Sequence, residues 1–335
     1  MTAQPLGQSF ANHSAVTSTD GMAALRVQRI PFAASASHDM SSITSSRLLT
    51  LSIFDRVVQI SCQNRAIWNF LANGYGSMLR QDDARANLEY TINENNGQGE
   101  YCILREGCPP LPALDDGELI FLFEKDLTIE LQRLRGDLYF VHAAALEISG
   151  NAILLVAPSG QGKSTMTWGL LHHGFRYLSD ELAPLNLRTM KVTPYPHALC
   201  LKREPPEAYP LPAQILRTSR TFHVPTPMLP NQTLSQPVPV TAMFFLEYSP
   251  KDQTGATLQS ISKGEAATRL FAQALNPLAH TEDGLPAAIA IACNAACYKL
   301  RSADLRSSCE LVSDLVSTLP ALSRQNDGAV PGLSS

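Results

Sequence analysis

A chain of 335 residues with 44% apolar and 17% charged residues can bury one large α/β domain and a smaller companion. Its net charge of −4 excludes a basic field for nucleic acid or an anionic membrane. Seven cysteines, odd in number and scattered, point to a reducing cytosol and not to a disulfide framework. Residues 1–48 are rich in Ser, Thr, Ala and Gln, show no period and hold no apolar run long enough for a signal or a span, so a disordered tail is expected.

Residues 49–125 read as a small α+β domain. Leu49–Ser61 has the β-branched character of a strand, and Ala66, Trp68, Phe70, Leu71 and Met78 suggest a short helix ended by Gly74 and Gly76. Leu88–Ile92 and Glu100–Leu104 are expected to be strands about a turn at Asn95-Asn96-Gly97. Cys108-Pro109-Pro110-Leu111-Pro112 is a break, after which Glu118–Phe123 is expected to be another strand. Nothing here carries recognisable chemistry. From residue 126 to 320 the pattern is that of a larger domain. Asp126 is placed to cap a helix over Leu127–Leu134, Gly136 ends it, and Leu138–Ala145 is a strand that delivers His142. A lone histidine on an apolar strand is by itself ordinarily a packed core residue.

Asn151–Thr165 reads Asn-Ala-Ile-Leu-Leu-Val-Ala-Pro-Ser-Gly-Gln-Gly-Lys-Ser-Thr. Ile153–Val156 look like a buried strand, Pro158, Ser159, Gly160 and Gly162 make a turn, and a helical pattern follows from Lys163 to about His173. Strand, glycine loop and helix in that order are the context of a phosphate-binding loop. The loop amides and the positive end of the helix dipole form an anion cup, with Ser159, Gly160, Gln161, Gly162, Lys163, Ser164 and Thr165 as its residues. Lys163 would reach the β and γ phosphates, and the Ser164 hydroxyl would ligate Mg²⁺. The general pattern has glycine where Ala157 stands. Beyond the helix, closed by Gly174, Arg176–Leu178 is a strand that ends at Asp180 and Glu181. The carboxyl edge of an open α/β sheet would bring both acids beside the loop. Adjacent acids can simply start or cap a turn, but they also suit a metal-side carboxylate next to a general base.

Three blocks at this spacing resemble the catalytic core of HPr kinase/phosphorylase, and more closely its shorter relatives, the HPr-kinase-related serine kinases. They are His142-Ala143-Ala144-Ala145-Leu146-Glu147-Ile148-Ser149-Gly150; the loop at Gly160, Gly162, Lys163 and Ser164; and Gly174-Phe175-Arg176-Tyr177-Leu178-Ser179-Asp180-Glu181. The resemblance implies an α/β fold with a P-loop core like that of phosphoenolpyruvate carboxykinases, built on a mixed sheet and preceded by the small α+β domain. It implies ATP and Mg²⁺ as cofactors, Asp180 as the base, Lys163 and His142 at the transfer site, and Ser164 with Glu181 on the metal side. The family generally has two aspartates where this chain has Asp180 and Glu181. It also implies a serine-bearing protein or peptide as acceptor, including precursors of peptide-tailoring pathways, a cytoplasmic setting and a homo-oligomer. A small-molecule hydroxyl kinase acting, for instance, on free serine, and a non-catalytic nucleotide switch, are the competing readings.

Leu185–Arg188 and Met190–Pro194 are expected to pair as a hairpin, followed by a strand at His197–Leu201. Lys202 and Arg203 come next, either as a solvated charge pair or as the place where related chains bring a basic residue to the nucleotide. Residues 204–240 are proline-rich and suggest a long surface excursion without regular structure, of the kind that serves as a substrate lid. Val240–Glu247 suits a central strand, Leu258–Ile261 another. Lys263–Leu275 and Leu285–Ala296 read as amphipathic helices, with Ser262 and Glu265 as a capping box. Cys293 and Cys297, four apart on an expected helix, read as small core residues. A strand at Cys297–Arg301, a helix at Asp304–Leu319 and a tail over 321–335 complete the chain.

Overall fold

The computed structural model describes residues 46–82, 84–95, 99–249, 255–302 and 304–318. Residues 1–45 and 319–335, which hold nearly all of both expected tails, and the turn residues Asn96 and Gly97 lie outside them. The first layer is a five-stranded sheet, with β1 (Arg47–Ile53), β2 (Arg56–Cys62), β3 (Leu88–Asn95), β4 (Glu100–Arg105) and β5 (Leu111–Ala113) in chain order. Where one strand was expected over Leu49–Ser61 there is a tight hairpin. Phe54 and Asp55 both take positive φ, 50° and 60°, the two-residue turn whose twist matches the strands. Helix α1 (Arg65–Gly74) starts at Asn64, whose side chain accepts from the amides of Ala66 and Ile67 at 2.9 and 3.1 Å.

Residues expected as a strand at Glu118–Phe123 belong instead to helix α2 (Asp116–Leu134). Its start is set by a reciprocal cap: Asp115 Oδ1 accepts from the Glu118 amide at 2.7 Å, and Glu118 Oε2 accepts from the Leu114 amide at 2.9 Å. Leu119, Phe123, Leu127 and Leu131 recur every four residues and are all buried. Asp126, expected as a cap, instead sits within α2 and ties it to the sheet by accepting from Arg105 Nε and the Tyr90 hydroxyl, each at 2.8 Å. The helix runs through the expected domain boundary at 125–126. The core it covers is continuous with Leu138, Phe140, Leu182 and Tyr195.

The second layer is a nine-stranded mixed sheet. Its strands are β6 (Tyr139–Val141), β7 (Ala143–Ile148), β8 (Asn151–Val156), β9 (Arg176–Ser179), β10 (Ala183–Asn186), β11 (Lys191–Val192), β15 (Val238–Tyr248), β16 (Thr257–Ser260) and β17 (Ala296–Ser302). The path runs β6-β10-β11-β15-β8-β7-β9, with β17 added to β15 and β16 to β17. The central strand β15 is parallel to both β8 and β17. Helices α3 (Lys163–His172) and α6 (Leu305–Thr318) share the core on one face, and α4 (Lys263–Phe271) and α5 (Leu285–Asn294) that on the other. Half of the expected capping box is present: the Glu265 amide donates to Ser262 Oγ at 3.1 Å, while the Glu265 carboxylate accepts from Arg269 Nε at 2.9 Å. Cys293 lies in α5 but Cys297 lies in β17, so the two thiols do not share a helix face; Cys297 is buried and Cys293 exposed.

The proline-rich stretch over 204–240 is ordered more than its composition suggests. Strands β12 (Leu199–Leu201), β13 (Leu216–Arg217) and β14 (Phe222–Val224) form a small sheet in the order β12-β14-β13. The segment is held at several points. Trp168 Nε1 donates to the Tyr209 carbonyl at 2.9 Å, and Arg220 pairs with Asp115 at 3.1 Å at the start of α2.

Helix α3 comes very close to α6 at Gly169, where an added Cβ would lie 2.6 Å from Cys309 Sγ and 3.0 Å from Leu305 Cδ1. We expect Gly169→Ala to lower unfolding stability by about 1–3 kcal/mol in urea titrations, with Cys309→Ala in the same chain restoring part of it. An unchanged midpoint in the single variant would contradict this packing.

Candidate functional site

Strand register brings the sequence candidates to one edge of the sheet. Strand β7 lies between β8 and β9 and is antiparallel to both. Its first residue, Ala143, pairs with Val156, the last of β8, and Ala145 pairs with Ser179, the last of β9. His142 precedes β7, Ala157 follows β8 and Asp180 follows β9, so all three chain ends emerge together.

The loop after β8 has the backbone of an anion cup. Gly160 and Gly162 take φ of 87° and 84°, a region L side chains avoid, and Gly162 is the residue before α3. The amides of Gly160, Gly162 and Lys163 meet no acceptor among the described residues. Ala157 at the departing position is buried in the core beneath α3, and its carbonyl accepts from Lys163 Nζ at 2.7 Å. Lys163 is only 7% exposed, and burial lowers its pKa to about 8 in spite of Asp180 and Glu181 nearby. The Gln161 side chain is committed elsewhere: its Oε1 accepts from the Tyr248 amide at 2.9 Å, anchoring the loop to the end of β15. Ser159 Oγ accepts from Lys202 Nζ at 3.2 Å, so the basic residue after β12 does reach the loop. Thr165 lies half-buried in the first turn of α3.

Asp180 is fully buried. Its Oδ2 accepts from the Cys200 amide at 3.2 Å, while Oδ1 has no hydrogen-bond partner. Burial and the neighbouring Glu181 push its pKa up to about 7, opposed by Ser164, Cys200 and Lys163. The Ser164 hydroxyl is thus close enough to favour the charged carboxylate, though no hydrogen bond closes on Oδ1. Glu181 is exposed. The His142 amide donates to the Gln273 carbonyl at 2.8 Å, and Nδ1 lies 3.2 Å from Gln273 Oε1, which leaves Nε2 as the free ring nitrogen. Burial and the Lys163 ammonium lower the His142 pKa.

Two further groups, which carry no local sequence signal, feel the charge of Glu181. Glu124, from α2, is pushed up to about 8 by burial and by the charges of Glu181 and Asp180. His197, before β12, is 5% exposed with an unpartnered Nδ1, and its ring lies 4.7 Å from that of Tyr195 and 6.1 Å from that of Tyr75.

A divalent cation fits this arrangement in one way. Among the described residues no group of three or more His, Cys, Asp or Glu side chains is placed to hold a metal unaided. Ser164, whose hydroxyl acts on Asp180, and Glu181, whose charge acts on Asp180 and Lys163, offer hard oxygen donors, so Mg²⁺ here would complete its shell with phosphate oxygens and water. Among the described residues no helix is long and apolar enough to cross a membrane.

No protein-family model matches the chain, and no curated protein does either. Among solved structures it is similar to the Hpr(Ser) kinase/phosphatase from Coxiella burnetii, at 12% identity over 53% of this chain and 93% of that one, with a TM-score of 0.27. A likeness that loose carries no weight for the chemistry, which rests on the residues themselves.

The depressed pKa of Lys163 makes its charge a cost to the fold that vanishes as the folded state loses the proton above pH 8 and the unfolded state above about 10.5. Wild-type stability therefore gains from this group as pH rises through that window. Lys163→Met should raise stability at pH 7 by about 1–3 kcal/mol and lose most of that advantage at pH 10. Urea denaturation at both pH values checks this; a variant less stable than wild type at pH 7 would contradict it.

Proposed function

We propose that this protein is an ATP- and Mg²⁺-dependent kinase that transfers the γ-phosphoryl group to a serine hydroxyl of a protein or peptide. The observation that carries the proposal is the meeting, at one sheet edge, of an amide cup, its lysine and a buried carboxylate with one unsatisfied oxygen. A purely structural turn has no use for a desolvated ammonium and a desolvated carboxylate within reach of each other's charge.

In the proposed reaction the amides of Gly160, Gly162 and Lys163 cradle the phosphates, and Lys163 exchanges its bond to the Ala157 carbonyl for the β and γ oxygens. Lys202, already at Ser159, adds a second positive charge from the other side of the loop. Ser164 and Glu181 would hold the Mg²⁺ that offsets charge on the transferring group. The acceptor hydroxyl oxygen attacks the γ-phosphorus as the bond to the β–γ bridging oxygen breaks, ADP leaves, and the proton passes to Asp180 Oδ1. A carboxylate whose pKa lies near 7 suits that role at neutral pH. His142 is held by Gln273 with Nε2 free; phosphate charge nearby favours its imidazolium, which can donate to the transferred group.

With labelled ATP and a serine peptide, Asp180→Asn is expected to lose transfer by about 10²–10⁴-fold while still binding a fluorescent ATP analogue. Lys163→Ala is expected to lose transfer as well, and Lys202→Ala to weaken nucleotide binding without altering transfer at saturating ATP. Near-full transfer by Asp180→Asn would remove the base assignment.

A further inference from the structure

Helix α5 turns an apolar face to solvent. Its ten residues include no Asp, Glu, Lys or Arg. Ala287, Ala288, Ile291 and Ala292 are buried in the core, while Leu285, Pro286, Ile289, Ala290 and Cys293 are exposed on the other side. A surface helix ordinarily carries charged or polar residues there. Leu285, Ile289 and Cys293 follow one another at four-residue intervals and so lie along one line of the helix. Leu285 and Ile289 are 45% and 47% exposed, and Leu278, in the turn before the helix, is 83% exposed. Single exposed leucines are ordinary on a protein surface, but a continuous apolar strip marks a place of contact.

The two ends of this strip carry opposite charge. Just before α5, Glu282 and Asp283 take φ of 50° and 53° and are exposed. Neither forms an ion pair with a basic side chain among the described residues. At the far end, the exposed Lys263 donates through Nζ to the carbonyl of Ala295, the residue after α5. Ile289 lies midway along the chain between Asp283 and Ala295. A second α5 crossing antiparallel over Ile289 therefore brings the acids of each copy opposite the partner's Lys263, and Leu285 opposite the partner's Cys293. The face is self-complementary about that point, as a two-fold contact between identical chains requires. A parallel crossing would instead set acids against acids.

We propose that the exposed face of α5 is the docking surface for a second copy of this chain, the two helices crossing antiparallel about a two-fold axis at Ile289. Burial of Leu278, Leu285 and Ile289 supplies the attraction, and the opposite charges at the two ends set direction and register. The surface rests on the residues of α5 and its flanks alone, so it holds whether or not the loop edge transfers phosphate.

Sedimentation equilibrium of the full chain, at concentrations up to about 100 µM, tests the proposal. Wild type should dimerise, and Ile289→Asp should raise the dimer Kd by about tenfold or more. Phe121→Asp, at an exposed aromatic residue of α2 outside this face, should leave the Kd unchanged. Asp283→Lys should weaken the dimer too, and Lys263→Glu in the same chain should restore part of the loss. Urea midpoints taken at monomeric concentration show that each variant keeps its fold. Register is read with Ile289→Cys: with oxidised glutathione, its thiols meet at the axis and form an inter-chain disulfide, mapped by mass spectrometry. The native Cys293 thiols, about 12 Å apart along the paired helices, should not join. Cross-linking through Cys293 instead would overturn the antiparallel register. Wild type that stays monomeric at about 100 µM would overturn the proposal and leave the face to a different partner. So would a dimer that survives Ile289→Asp, or one that Phe121→Asp disrupts equally.

Discussion

The arrangement depends on one antiparallel strand. Because β7 is inserted between β8 and β9 and runs against both, its beginning meets their ends. A shift of β7 by two residues would keep its side chains on the same faces yet carry His142 away from the loop by roughly 7 Å, at a rise of about 3.3 Å per residue. Register there is strongly held: Ala143, Ala144, Ala145 and Leu146 are fully buried, and at the far end Glu147 pairs with Arg176 of β9. Small alanine side chains on both faces let the loop helix and the opposing helical layer approach the sheet.

This geometry concentrates unfavourable electrostatics at one point. Lys163 and Asp180 are both withdrawn from water, and burial moves each toward its neutral form. Their mutual attraction offsets part of that cost, and hydrogen bonds from Cys200 and to Ala157 offset more. The remainder is held by the surrounding core, in which Met166, Trp168, Leu170 and Leu171 of α3 are buried against the sheet. Groups kept in such a state are poised to gain from a ligand that brings opposite charge to each. The loop amides without acceptors are part of the same debt.

Much of the second layer was legible because its signals are local. A strand, two glycines and a helix start occupy fifteen consecutive residues, and the run from Val238 to Tyr248 is apolar enough to be central. The failures have physical causes. Leu119-Ile120-Phe121-Leu122-Phe123 is an unbroken apolar run, from which no period can be read; the cap formed by Asp115 and Glu118 was the available sign of a helix. The hairpin at Phe54 and Asp55 lacks the usual glycine or asparagine, and Phe54 is held by packing on Phe140 and Tyr195. The segment 204–240 gains its order from anchors distant in sequence, such as Trp168 and Asp115. Glu124, His197 and Tyr75 carry no motif at all. The charge of Glu181 acts on all three, a relation that no spacing along the chain records.

The central claim is that the loop lysine and the β9 carboxylate close around one nucleotide terminus. A crystal structure of the complex with Mg²⁺ and a non-hydrolysable ATP analogue tests it most directly. The account predicts the terminal phosphate against the amides of Gly160 to Lys163, Lys163 Nζ moved from the Ala157 carbonyl to a phosphate oxygen at about 2.8 Å, and Asp180 Oδ1 facing the same phosphorus across the space an acceptor would occupy. A nucleotide bound elsewhere, or one seated in the loop with Asp180 still buried away from its terminus, would contradict it.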